Sequence, residues 1–362
     1  MIRLLKILSI VVCLWSIGTY TGVAQTLKYY NADKFPLIGK MSDDTEGHYA
    51  RLPISCKGLS EKWVWILGQD TPGLAIRFAT NSSVIGARWI NVRNNSMPHM
   101  TLVGVKGLDL YMMKNGKWHY VRCAKPKGKE NETVIISNLE GQMCEYMLYL
   151  PLYDGVKILE IGVEENASVI QPQIESPITE HPVICYGTSI TQGGCASRPG
   201  MSYTNILSRM LNREVVNLGF SGHGHLEYEV AELMTLRDPS VIVMDFIPNV
   251  SASMLRERID KFMDIIESKI PGVPILFIEH VPFPLAEFDQ KKGKWVSESN
   301  EALREAFQKL KKRGYKNLYY MKSEHLIGED GESTVDGEHF TDLGFYRFAE
   351  GLYPMVKKLM RK

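Results

Sequence analysis

The chain has 362 residues, 44% of them hydrophobic and 23% charged, with a formal net charge of +1. A chain of this length and apolar content can build two globular domains and is neither disordered nor fibrous. A charge so near zero argues against a polyanionic partner. The short lysine clusters at 125–130, 290–294 and 311–316 are each broken by Gly or Pro and read as solvated turns and helix ends, not nucleic-acid contacts.

At the N-terminus, Arg3 and Lys6 precede an apolar run from Ile7 to Ile17, and Gly22 and Ala24 place small residues ahead of Gln25. That pattern predicts a secretory signal peptide over residues 1–24, cut after Ala24; the apolar run is too short for a membrane anchor. Cleavage removes both cations and takes the net charge from +1 to −1. The mature chain is therefore expected to be exported, to the periplasm or beyond the cell, with no membrane insertion. Of the six cysteines, Cys13 leaves with the leader. The other five (Cys56, Cys123, Cys144, Cys185 and Cys195) are odd in number, widely spaced and without a Cys-x-x-Cys pair. This argues against a disulfide framework and against zinc, and leaves room for one disulfide.

From 25 to 176 the pattern is short strands and turns, which predicts a β-sandwich domain. LAIRFAT (74–80) and VIGARWI (84–90) alternate apolar and polar residues. GLDLYMMKNGKWHYV (107–121) is two strand-like runs about Asn115-Gly116, a strong hairpin signal because both residues tolerate positive φ. Further runs follow at 133–139, 145–153 and 157–163, and no helical period of useful length appears.

From 177 to 362 the pattern becomes strand, helix, strand, helix. Strands are predicted at 182–187, 214–219, 240–246, 274–279 and 318–322. Helices are predicted at 202–213, 226–237, 253–268, 298–313 and 342–361. Leu255, Ile259, Phe262, Met263 and Ile266 share one face of the third helix. Such alternation builds a parallel sheet covered by helices on both faces, a flavodoxin-like α/β fold. The intervening segment 281–300 is long for a connection and carries Phe283, Phe288 and Trp295; it is read as an aromatic loop or a solvated insertion.

Ligands of such sheets bind beyond the carboxyl ends of the strands, and four chemistry-bearing segments fall there. Ser189 lies in VICYGTSITQGG (183–194), Gly222 in NLGFSGHG, Asn249 in DFIPNVS and His339 in VDGEHFTDLG. The first segment has neither a P-loop lysine nor a Gly-x-Gly-x-x-Gly turn, so phosphate binding explains it poorly. Nucleophilic catalysis explains more. Ser189 needs a base, His339 can supply it, and Asp336 can orient the imidazole. The backbone N–H groups of Ser189 and Gly222 and the Asn249 amide can receive an oxyanion. Asp336 could instead cap the final helix. His223 and His280 border the same edge and are candidate substrate contacts, with Trp295. His223 and His225 invite a metal reading, but the pair is more simply read as pocket wall.

These residues match a family. Gly187-Thr188-Ser189, Gly222, Asn249 and Asp336-Gly337-Glu338-His339 resemble, in order, the four blocks of the SGNH, or GDSL-like, hydrolases. Thr188 stands where the family usually has Asp, and Asn249 lacks the usual Gly-x-Asn-Asp context. GLDLY (107–111) is similar to the Gly-x-Asp-Leu-Tyr signature of a β-sandwich domain that precedes SGNH domains in secreted bacterial esterases. Asp109 and Tyr111 are expected to fix a hairpin. The resemblance implies a serine esterase acting without metal or cofactor on O-acylated, chiefly O-acetylated, carbohydrates. The alternatives are a lipid or thioester hydrolase of the same fold and a catalytically silent glycan-binding protein.

Overall fold

The computed structural model describes residues 26–360. The leader expected at 1–24 lies outside them. In chain order the first part contains β1 (Leu27–Asn31), β2 (Leu37–Ile38), α1 (Lys62–Leu67), β3 (Ala75–Thr80), β4 (Ile85–Asn91), α2 (Leu102–Lys106), β5 (Leu108–Lys114), β6 (Lys117–Ala124), β7 (Glu130–Ile136), β8 (Cys144–Tyr149), β9 (Val156–Glu164) and β10 (Val169–Ile170). Two antiparallel sheets result, one ordered β1-β9-β4-β7 and the other β10-β3-β8-β5-β6 with β2 on the flank of β3. They face each other across a core that takes every second residue of each strand: Ile85, Ala87 and Trp89 from β4, Leu159, Ile161 and Val163 from β9, Ile76 and Phe78 from β3. Asn115 and Gly116 turn the β5–β6 hairpin with φ of 53° and 72°. The two short helices escape a periodicity search because neither runs two full turns.

The alternation read in LAIRFAT suggested a strand with one wet face. In fact every residue of β3 is buried. On the outer face of its sheet Arg209 from the second half lies over Tyr111 and Tyr149, and Arg77, which the pattern would send to water, is 4% exposed, paired with Glu145 at 2.9 Å and donating to the carbonyls of Ile174 and Ser176.

The second part contains β11 (Ile178–Gly187), α3 (Ser189–Gln192), α4 (Tyr203–Leu211), β12 (Arg213–Gly219), α5 (Tyr228–Met234), β13 (Val241–Asp245), α6 (Ala252–Lys269), β14 (Ile275–Ile278), α7 (Pro284–Phe288), α8 (Gln290–Lys312), β15 (Leu318–Met321) and α9 (Asp342–Leu359). The strands form one parallel sheet ordered β12-β11-β13-β14-β15, the flavodoxin-like order in which the first strand sits beside the second and the third. Helices α5, α6 and α8 bury one face of it and α4 and α9 the other. The apolar face expected on α6 is the buried one, from Leu255 to Ile266.

Segment 281–300 is not an aromatic loop. Pro284 opens α7 at its first position, where a proline costs no hydrogen bond, and Asp289 caps α8 by accepting from the N–H groups of Lys291 and Lys292. The five cysteines of the described residues are all free, so the disulfide left open by the sequence is not formed. No helix among the described residues is long and apolar enough to cross a membrane.

Candidate active site

β11 ends at Gly187, and the chain turns at once into α3, whose first residue is Ser189. Thr188 caps that helix through its hydroxyl. The turn is tight: a Cβ on Gly187 would come within 2.3 Å of the Asp245 carbonyl, and one on Gly219 within 2.1 Å of the Gln192 nitrogen. Only glycines let α3 seat itself against the ends of β11, β12 and β13. Ser189 is held nearly enclosed, at 9% exposure.

His339 approaches from the loop ahead of α9, and its Nε2 lies 3.0 Å from Ser189 Oγ. Its Nδ1 lies 2.8 Å from Asp336 Oδ2. A carboxylate can only accept, so Nδ1 carries the proton and Nε2 is left to accept from the serine hydroxyl. The other oxygen of Asp336 accepts the backbone N–H groups of Glu338 and His339 at 3.0 and 2.8 Å. Burial pushes the Asp336 carboxyl up, but these N–H groups and the His339 ring outweigh it and hold the acid below its usual range. Asp336 does not cap the last helix; Thr341 does.

Gly222 follows β12 with φ of 69°, and nothing lies within 4 Å of where its Cβ would be. Its backbone faces a cavity of about 300 Å³ whose lining includes Ser189, Gly222, Asn249, His280, Trp295 and His339. Ser189 opens α3, so its N–H has no acceptor within the helix. Asn249 closes the turn after β13, and its Nδ2 donates to the His223 carbonyl at 2.7 Å, which spends one amide hydrogen and fixes the direction of the other. A larger hollow, about 910 Å³, lies along α8 and β15; it offers neither serine nor histidine, so size does not select the site.

The candidate substrate contacts divide. Trp295, on the first turns of α8, lines the cavity beside Lys292, which pairs with Glu338. His280 also lines it; burial drives its imidazole down to about 4, so it is a neutral wall, edge-on to Phe283 at 4.5 Å between centroids. His223 does not line the cavity. Its backbone carbonyl serves Asn249, while its ring stacks toward His225 and comes within 3.6 Å of Glu61, a carboxylate brought from far along the chain.

Several supports had no signal in the sequence. Gln192 donates to the Leu152 carbonyl at 3.1 Å and to Asp70 at 3.3 Å, and its Oε1 accepts the Ser221 N–H at 2.9 Å. Arg51 is 2% exposed, and its guanidinium meets no carboxylate: it donates to the carbonyls of Leu67, Asp70, Asn217 and Gly219. Burial lowers it to about 9. Asp109 and Tyr111 do not fix the hairpin. Both receive Arg198 Nη1, at 2.6 and 2.7 Å, and Asp109 also accepts the Gly200 N–H, so the motif clasps the segment that follows α3.

Comparison with known proteins accords with this geometry. Residues 180–357 match the GDSL-like lipase/acylhydrolase family, and residues 27–169 match the N-terminal domain of SGNH-hydrolase-type esterases named for its Gly-x-Asp-Leu-Tyr motif. A GDSL-like lipase relative from Bacteroides ovatus shares 37% identity, with 92% of this chain and 98% of that one covered and a TM-score of 0.88. A salicylyl-acyltransferase of a tetracycline biosynthetic pathway superposes with a TM-score of 0.71 at 19% identity, over 90% of this chain and 95% of that one. A family two carbohydrate esterase from Clostridium thermocellum, solved with cellohexaose, gives 0.60 at 12% identity, over 79% and 92%. At such identities the last two likenesses are likenesses of fold. Comparison with curated proteins gave no match.

Proposed function

The chain belongs to the GDSL-like lipase/acylhydrolase family, and from that premise we propose that it is an exported serine esterase that removes O-acyl groups, acetyl foremost, from carbohydrates. The observation that carries the reading is the unbroken line of contacts from Ser189 Oγ to His339 to Asp336, at 3.0 and 2.8 Å, opening on one cavity.

In the proposed cycle, His339 Nε2 takes the Ser189 proton as Oγ attacks the ester carbonyl. Asp336, ionised well into acid, stabilises the imidazolium that forms. The N–H groups of Ser189 and Gly222 and the Asn249 amide receive the oxyanion. His339 then protonates the departing sugar hydroxyl, and a water activated by the same imidazole releases the acid. A cavity of about 300 Å³ suits a short acyl group. Trp295 at its side offers a flat apolar face to a sugar ring. The carbohydrate esterases that share the fold lend support to the substrate class.

The test is labelling with a fluorophosphonate, wild type against Ser189→Ala, beside acetate release from acetylated xylan and pectin oligosaccharides. Labelling lost in Ser189→Ala, with acetate released by the wild type alone, is the expected result. A wild-type chain that neither labels nor turns over would leave a silent glycan-binding protein. Labelling with turnover rising steadily with acyl length would point to lipid or thioester substrates.

A further inference from the structure

We propose that the side of the triad turned away from the cavity is a site for a divalent transition ion, zinc foremost, and that the ion turns the enzyme off. The donor atoms of His99, Cys195, Asp336 and His339 all lie within 4.8 Å of one another. His99 comes from the β-sheet half of the chain, and its ring centroid is 5.8 Å from that of His339. Cys195 follows Gly193-Gly194 in the left-handed region, φ 75°, which aims its enclosed thiol at the triad. Neither the His99 ring nor the Cys195 thiol lines the cavity or hydrogen-bonds to another described residue, so both are free to bind a metal.

Two imidazoles, a thiolate and a carboxylate form a ligand set that zinc takes readily, and the two anions neutralise a dication. With Zn–N of about 2.0 Å and Zn–S of about 2.3 Å, tetrahedral donors sit about 3.3–3.8 Å apart, so the four groups need to close by roughly 1 Å. The ion bonds His339 through Nδ1, the nitrogen that faces Asp336. The imidazole proton moves from Nδ1 to Nε2, and the Cys195 thiol releases its proton to solvent. Nε2–H can then donate to Ser189 Oγ but no longer accept from it. The nucleophile loses its base while the cavity stays open. The ligands stand at positions 99, 195, 336 and 339, too scattered for any spacing rule to collect.

The activity readout rests on the esterase reading; the binding readout does not. Cobalt(II), a spectroscopic stand-in for zinc, is titrated into the chelator-treated chain carrying Ser189→Ala, which keeps all four ligands. A thiolate-to-cobalt charge-transfer band with the intense d–d bands of a tetrahedral ion is expected, and both should vanish when Cys195→Ser is added. Absence of the thiolate band, or its persistence without Cys195, overturns the site. In the active enzyme zinc should inhibit reversibly, with activity restored by chelator. His99→Ala and Cys195→Ser should each raise the inhibitory concentration at least about tenfold while leaving metal-free turnover at the wild-type level. Equal zinc sensitivity in all three proteins overturns the switch. If either substitution itself lowers turnover, the cobalt spectra decide.

Discussion

Asp245 ends β13 beside the helix that Ser189 opens, accepting from the hydroxyls of Thr191 at 3.0 Å and Tyr203 at 3.1 Å. No cation offsets its burial, which raises its carboxyl to about 7. An acid whose folded pKa exceeds its unfolded value binds more protons in the native state. Its contribution therefore turns unfavourable as pH rises from about 4 to 7 and reaches up to about 4 kcal/mol above that. The Tm of the wild type should carry this loss between about pH 4 and 7, and Asp245→Asn should remove it, raising Tm at pH 8 but not at pH 4. Parallel Tm–pH curves for the two proteins would contradict the assignment. Neither this residue nor Arg51 was legible in the sequence, because nothing local marks a charged side chain whose partners arrive from other strands. Ser189, Gly222, Asn249 and His339 could be placed on their loops because each sits in a short block at a strand end. His223 misled because proximity in sequence to Gly222 says nothing about which side of the loop a ring leaves from.

At the scale of elements, α3 is held by more than its own single turn. Gln192 joins three pieces: the β12 loop through Ser221, the carbonyl of Leu152, and Asp70, which also pairs with Arg93. Replacing it with Met keeps the volume and strands the half-buried Ser221 N–H, next to Gly222. An unpaired buried group costs about 1–3 kcal/mol and a half-buried one less, and part of that should appear as a displaced Gly222 N–H, the proposed oxyanion donor. The expected outcome for Gln192→Met is a kcat lower on the order of tenfold with KM little changed and the far-UV spectrum intact. Unaltered kcat would show that the β12 loop holds its place without Gln192. The parallel strands and amphipathic helices around this site were legible because uniform burial and a 3.6-residue period are properties of one segment. The first turns of α8 were not: their polar residues and Gly293 lack an apolar stripe, and the helix there is carried by the Asp289 cap and the Lys294–Glu298 pair.

At the scale of the molecule, the boundary in sequence near 177 is not a boundary in packing. Met41, Leu52, Cys56 and Val64 enter the core on the α5–α6–α8 face of the parallel sheet, and Met100, Val105, Leu152 and Tyr153 the core on the α4–α9 face. Arg51 hydrogen-bonds the end of β12, and Arg198 reaches back to Asp109. Removing residues before 177 would expose both apolar faces and leave the Asn217 and Gly219 carbonyls without their donor. The two halves should therefore unfold together. Trp63, Trp65, Trp89 and Trp118 lie before residue 177, and Trp295 alone after it, while the longest helices, α6, α8 and α9, all lie after it. Trp89 and Trp118 report the sandwich, Trp65 packs on the core of the parallel sheet, and helical ellipticity reports mainly the parallel-sheet half. In urea the two signals should trace one transition with one midpoint. Arg198→Met, which leaves the buried Asp109 carboxylate without its cation, should lower that midpoint in both signals equally. Separate midpoints, or a shift confined to one signal, would mean that the halves are stable apart and that the clasp at Asp109 only joins them.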